Sequence, residues 1–224
     1  MDTTFNDMQP STPSSDGLDA AVLDDTLLAY FPGLTREDKQ YIKNSTRWAE
    51  HRADQRHGRE QDPAQWFEFY SGVLWSVGWS LEYQPVIIVD NFYTGSLLDS
   101  WSKALSTQVS RGKLSLIRQA FGRLEQDRPA LELLTFSARQ SGDLRFLPAE
   151  YNRTGELEIV LTNVRLLSSS WGSRLWFWEV EQPQKQLDIR VRRFAIKPRE
   201  MNKHREMLNA AVKDMRLREI ALTT

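Results

Sequence analysis

The sequence predicts an α+β fold, in which an N-terminal helical layer packs on an antiparallel four-stranded meander and a C-terminal helix closes the chain. Up to about residue 140, apolar residues recur at three- and four-residue intervals, which is typical of helices. From Gly142 the period changes to two, which is typical of strands. Residues 66–81 are apolar on almost every face, with Glu68 as the only charge, which predicts a buried helix.

Composition narrows the class of protein. The chain has 224 residues, a net charge of −1 and no cysteine. We expect a disordered, polar tail at residues 1–17 and one α+β domain at residues 18–224, with its helical part up to residue 140 and its sheet and final helix after it. The charge gives no reason to expect a nucleic-acid partner, and the lack of cysteine excludes disulfides and thiolate chemistry. No basic and apolar leader is visible, so we expect a cytoplasmic protein, with export by a non-classical route left open.

The first three helices follow from periodicity and end signals. A helix is predicted over residues 18–30, ending at Pro32. A second begins after a Thr35 cap and ends near Gly58. A third is predicted over residues 63–79, with Asp62 and Gln65 forming a capping box around Pro63. Its predicted buried residues are Trp66, Tyr70, Val73, Leu74 and Val77, and Gly78 is expected at a helix end or a close approach.

The central part of the chain is less regular. Residues 86–89 form a buried strand or an extended link. Ser96 is a candidate cap for the next helix, which Gly112 interrupts before the helical period resumes. Pro129 suits a first helical position, so residues 130–137 are predicted to be helical, although a strand stays open for so short a run.

Four successive strands are predicted in the C-terminal part. They cover residues 144–152, 156–167, 175–182 and 187–196, with turns at residues 154–155, 171–172 and 183–186. Val191 and Phe194 have opposite parity in the fourth strand, which predicts a bulge near Arg192 and Arg193 and burial of both apolar side chains. A closing helix begins at Pro198.

No catalytic motif is visible. The chain lacks a G-x-S-x-G elbow, a Walker sequence and a G-x-G-x-x-G loop. His51, Asp54 and His57 could share a helix face, but the neighbouring arginines oppose a bound cation, so no metal and no cofactor are predicted. Glu68 is the titratable group of most interest. It is either a carboxylate in apolar surroundings, or a side chain that points to solvent or pairs with an arginine such as Arg47 or Arg118.

Aromatic residues are concentrated in one predicted strand. Alternation sends Phe177 to one face and the flanking tryptophans to the other. If that second face is exposed, it offers a stacking surface for a partner; the alternative is a sheet covered on both faces, by N-terminal helices on one side and the final helix on the other. The candidate interaction surface is Trp176, Trp178, Arg174, Arg190 and Arg192.

One stretch resembles a known group of proteins. The segments LTREDKQYIKNSTRWAEHRA and WFEFYSGVLWSVGW, within residues 34–79, resemble small bacterial proteins of obscure function, some of them encoded near secreted or pore-forming toxins. The resemblance implies a soluble accessory or interaction role in a toxin or virulence context, and it transfers no catalytic residue.

Three functional hypotheses follow. The leading one is a non-enzymatic bacterial interaction or accessory protein with a protein partner. The second is a membrane- or lipid-active effector that uses residues 63–81 or the strand around Phe177. The third is an unrecognised hydrolase, which requires a pocket around Glu68 or a histidine.

Overall fold

A computed structural model describes residues 17–95, 97–106, 109, 111–167, 180–215 and 218–222. In this part of the chain, an eight-stranded, mostly antiparallel sheet lies between two helical layers. The α+β class is therefore confirmed. The predicted tail up to residue 16, the Ser96 cap and the turn at residues 171–172 lie outside the described residues.

The sheet contains strands from both ends of the chain. Its order is β3-β7-β6-β5-β2-β1-β8, with β4 also paired to β7, and among the described strands only β2 and β5 run parallel. The strands are β1 (Asp19–Leu23), β2 (Thr26–Tyr30), β3 (Ser80–Leu81), β4 (Val86–Gly95), β5 (Leu144–Tyr151), β6 (Leu157–Leu167), β7 (Val180–Ile196) and β8 (Glu219–Leu222). The helices are α1 (Arg36–Arg56), α2 (Pro63–Ser76), α3 (Leu97–Leu105), α4 (Arg111–Gln126), α5 (Arg128–Ser141) and α6 (Pro198–Val212).

Each face of the sheet has its own apolar core. One core joins the sheet to α3, α4 and α5, and the other joins it to α1, α2 and α6. The expectation of a sheet covered on both faces is confirmed for the described residues, but the final helix lies on the same side as α1 and α2. Leu208 of α6, for example, is fully buried in the core that contains Trp66.

The predicted helix over residues 18–30 is wrong, because these residues form the β1–β2 hairpin. Asp24 stands in the turn with a φ of +50°, a conformation that Asp tolerates better than most residues. The strands of the hairpin are covered by helices on both faces, so they show no alternation of apolar and polar residues. Their leucines, at positions 23, 27 and 28, happen to follow the spacing of a helix, which explains the wrong prediction.

The predicted bulge near Arg192 and Arg193 is also wrong. β6 pairs with β7 in one unbroken register from Leu157 with Ile196 to Leu167 with Gln186. Val191 and Phe194 are nevertheless both buried, because Val191 enters one core and Phe194 the other. The four-stranded meander is not confirmed: residues 183–186, expected as a turn, lie inside the 17-residue β7.

Helices α1 and α2 largely match the prediction. The Thr35 side chain accepts a hydrogen bond from the Asp38 backbone N–H at 3.1 Å and so caps α1. The capping box predicted for α2 does not form, since Asp62 makes no side-chain capping bond. All five residues predicted as buried in this segment are buried: Trp66, Tyr70, Val73, Leu74 and Val77.

Gly78 is required where α2 ends. Its φ is +95°, and an added Cβ would stand 3.1 Å from the side chains of His204 and Ile196. Both the positive φ and the close approach favour glycine, as the sequence suggested.

The remaining elements correct several expectations. Gly112 lies in the first turn of α4 and does not interrupt a helix. Residues 130–137 belong to α5, with Pro129 at its start, so the strand alternative is wrong. β4 lies beside β7, where Ile87 and Val89 are exposed instead of buried. β8 was not predicted; it pairs with β1.

Candidate functional site

A buried ionic cluster ties the β1–β2 turn to the sheet and to α1. The Arg145 guanidinium, only 1 % exposed, donates to Asp25 and, at 2.7 Å, to Glu50. Arg59, in the α1–α2 connection, donates to Asp25 at 2.7 Å and to Asp54 at 2.6 Å. Two arginines and three carboxylates therefore hold one another in place beneath the connection.

The cluster shifts the pKa values of its members. Burial alone would raise the pKa of Asp25, but the guanidinium groups of Arg145 and Arg59 hold it below the ordinary value. Asp143 lies 3.5 Å from Arg59 and is equally buried, and here burial prevails and raises the pKa to about 6. Two neighbouring carboxyls thus have pKa values displaced in opposite directions.

Above this cluster lies an open cleft of about 820 Å³. Its wall carries Asp25, Glu50, Asp54 and Arg59 together with His57. The Asp54 carboxylate also accepts a hydrogen bond from the Trp66 indole at 2.8 Å. Because these carboxylates already bind arginine or indole N–H groups, the arrangement is suited to fixing the α1–α2 connection more than to proton transfer.

A second cavity, of about 590 Å³, runs between α1 and α2 on the outer surface. We call it the α1–α2 groove, and it is lined by Trp48, Arg52, His57, Gln65, Glu68, Phe69, Gly72, Val73 and Ser76. Trp48 and Phe69 pack partly against the core and leave their outer edges in the groove. Their rings are braced, because Arg52 lies over the Trp48 ring at 5.2 Å and His57 meets Phe69 edge-on at 5.5 Å.

Gly72 forms the open part of the groove. A Cβ added there would meet no atom within 4 Å other than those of the helix itself. One turn later, Trp75 is 72 % exposed, the most exposed large hydrophobic side chain among the described residues. The sequence predicted a helix buried on every face, whereas α2 presents Gly72 and Trp75 to the outside.

Glu68 lies at the rim of this groove. It is paired with Arg192, not with Arg47 or Arg118 as the sequence suggested. Arg47 instead donates to the Met215 carbonyl at 2.9 Å, and Arg118 stands 3.6 Å from Asp99. The Arg192 guanidinium also lies over the Phe67 ring at 5.1 Å. The partner of Glu68 is therefore packed against the core.

The surface predicted around the aromatic strand is only partly visible. Trp176, Trp178 and Arg174 lie outside the described residues. Arg190 pairs with Asp188 at 3.1 Å, and Arg192 is largely buried beneath Glu68. Arg190 and Arg192 alternate in step with Phe194, which packs in the core that contains α2, so both lie on that sheet face, where each is engaged by a carboxylate.

The sequence did not single out Trp48, Phe69, Gly72 or Trp75 as residues that bind a protein; the last three lie within residues 63–81, which were proposed only as a membrane- or lipid-active segment. A signal was present, since Gln65, Glu68, Gly72 and Ser76 recur at three- and four-residue spacing and mark a weakly polar stripe on an otherwise apolar helix. That stripe is the outer face of α2.

Comparisons with known proteins give little further information. No protein-family model matches the chain, and no curated protein matches it. Among solved structures, that of the Evf virulence factor aligns with 84 % of this chain and 82 % of its own, at 10 % sequence identity and a TM-score of 0.27. Among the described residues, no helix is both long and apolar enough to span a membrane.

Proposed function

We propose that this chain is a non-enzymatic interaction protein that binds a protein partner in the α1–α2 groove. The observation that carries the proposal is the outer face of α2, where aromatic side chains surround an open glycine position. Trp and Arg side chains dominate binding energy in protein interfaces. The groove supplies Trp48 and Arg52, and Trp75 is exposed on α2 three residues after Gly72.

The ionic cluster supports the non-enzymatic part of the proposal. A catalytic acid or base needs a proton-transfer partner within reach of substrate. Asp25, Glu50 and Asp54 instead direct their oxygens at Arg145, Arg59 and the Trp66 indole. Their geometry serves the rigidity of the scaffold that carries the groove.

A bacterial toxin or virulence setting is part of the proposal on the strength of the sequence resemblance over residues 34–79 alone. It implies that the partner is encoded or produced together with such a system. The binding experiment below is independent of that setting.

The test uses one blocking variant and one matched control. Gly72→Arg fills the open floor of the groove, and arginine is a better helix former than glycine, so the fold should tolerate it. Gly122→Arg makes the same change in α4, in the opposite helical layer, at a site with equally open surroundings. Thermal melting of both variants should stay at or above that of the wild type.

The binding measurement has two stages. Proteins from the native host are captured on the wild type and both variants, and a protein retained by wild type and Gly122→Arg but lost on Gly72→Arg is purified. The Kd of this partner should then be about tenfold or more higher for Gly72→Arg than for the wild type and Gly122→Arg, as expected for a change at the centre of an interface. Retention of the same proteins by all three, or groove-dependent binding to phospholipid vesicles instead of protein, overturns the proposal.

A further inference from the structure

The charges around the α1–α2 groove do not balance. Trp48, Arg52 and Arg56 follow one another at four-residue spacing along α1, so they share the face that borders the groove. Arg52 and Arg56 are exposed, and in the part of the chain that the structure describes neither has a carboxylate within ion-pair distance. The basic edge of the groove is therefore available to a ligand.

The opposite edge does not compensate for this charge. Among the described residues that line the groove, Glu68 is the one carboxylate, and Arg192 from β7 already neutralises it. The rest of the lining is aromatic, aliphatic or uncharged apart from His57. A complementary occupant must therefore bring apolar side chains for the floor and negative charge for the α1 edge.

The shape of the groove favours a helix as the occupant. The groove lies between two helices joined by a short connection, and the 14 residues of α2 span about 21 Å, or four turns. Without a side chain at Gly72, a third helix can approach closely, as helices do where small residues meet. Apolar anchors at three- and four-residue spacing would then reach Trp48 and Phe69.

We propose that the partner occupies the α1–α2 groove with an amphipathic helix whose polar face is acidic. The apolar face of that helix packs over Gly72 between Trp48 and Phe69. Its carboxylates pair with Arg52 and Arg56. This inference rests on the proposed function and names the chemistry of the partner segment.

Peptide display provides an unbiased test. A random library of peptides of about 16 residues, enough for four helical turns, is selected on the wild type and counter-selected on Gly72→Arg. The enriched sequences should combine apolar residues at helical spacing with a net negative charge. Synthetic versions should bind the wild type and Gly122→Arg equally and bind more weakly as salt is added.

The arginines are tested with the same synthetic peptides. The double variant Arg52→Gln with Arg56→Gln keeps two long polar side chains on an exposed helix face, so folding should be unaffected. It should bind the peptides about tenfold more weakly, the sum of two modest exposed ion pairs. The double variant Arg128→Gln with Arg139→Gln on α5 serves as the charge-matched control and should bind the peptides as the wild type does.

The outcomes separate the two proposals. Enriched peptides that need Gly72 but are neutral or basic overturn the acidic helix and leave the groove as a binding site. Acidic peptides whose affinity is unchanged by loss of both arginines overturn it as well. If no peptide distinguishes the wild type from Gly72→Arg, both the inference and the proposed function are overturned.

Discussion

Replacing Asp25 by Asn should destabilise the protein severely, although it changes only one atom. Asp25 is 2 % exposed and is, with Glu50, one of two carboxylates that bind both Arg145 and Arg59. With an amide in its place, both guanidinium groups lose a counter-ion. Arg145 is too deeply buried for water to solvate its charge instead.

The expected cost is about 3 to 5 kcal/mol, the range for removing one partner of a buried ion pair. A domain with a total stability of about 5 to 15 kcal/mol loses roughly a fifth of it or more. At a urea slope of about 2 to 3 kcal/mol per molar, the unfolding midpoint should fall by roughly 1 to 2.5 M. The chain has eight tryptophans, so their fluorescence can be used to measure the unfolding transition.

The neighbouring residue provides the control. Asp24 pairs with Arg218 at 2.8 Å on the surface, and its φ of +50° suits Asn, so Asp24→Asn should cost under about 1 kcal/mol. The folded pKa of Asp25 is depressed, so its stabilisation is present above the unfolded value of 3.8 and lost as pH falls through the folded pKa. A loss under about 1 kcal/mol at neutral pH for Asp25→Asn would refute the reasoning.

Two further predictions address the core and the titration of the ionic cluster. Leu74→Ala should cost about 2 to 5 kcal/mol of unfolding free energy, measured in urea. Trp75→Ala, at its exposed neighbour, should cost under about 0.5 kcal/mol. Similar losses for the two variants would mean that the orientation of α2 described above is wrong. The folded pKa of Asp143 is raised from 3.8 to about 6, so the stabilisation from its neutral form is present below 3.8 and lost as pH rises through 6. Relative to wild type, Asp143→Asn should therefore gain about 1 kcal/mol of stability between pH 5 and 7.5, and an unchanged difference would contradict this.

Local signals explain why α1 was predictable and the hairpin was not. α1 has a capped start at Thr35 and one apolar face, and both are properties of its own sequence. β1 and β2 are covered on both sides by helices that come later in the chain, so their pattern depends on distant packing. The same cause produced the false bulge, because a strand between two cores need not alternate.

The candidate site was harder to predict than the fold. Glu68 was identified as unusual, but its partner Arg192 is 124 residues away and becomes a neighbour only through the sheet. The ionic cluster likewise joins Asp25, Glu50, Arg59 and Arg145, which no local spacing connects. By contrast, the stripe through Gly72 was readable in the sequence and indicates the outer face of α2.

The ionic cluster and the α1–α2 groove are linked through the two helices that form the groove. At the connected end of the helix pair, Arg59 binds Asp54 of α1, and Asp54 also accepts the indole N–H of Trp66 from α2. At the other end, the Tyr41 hydroxyl of α1 donates to the Val77 carbonyl beyond α2 at 2.6 Å. Because the pair is fastened at both ends, the groove is formed before any partner arrives, and binding should cost little reordering of the protein. Asp25→Asn, which acts at the cluster, should therefore weaken peptide binding only under conditions where it also unfolds the protein, whereas Gly72→Arg should weaken binding about tenfold or more in the fully folded protein.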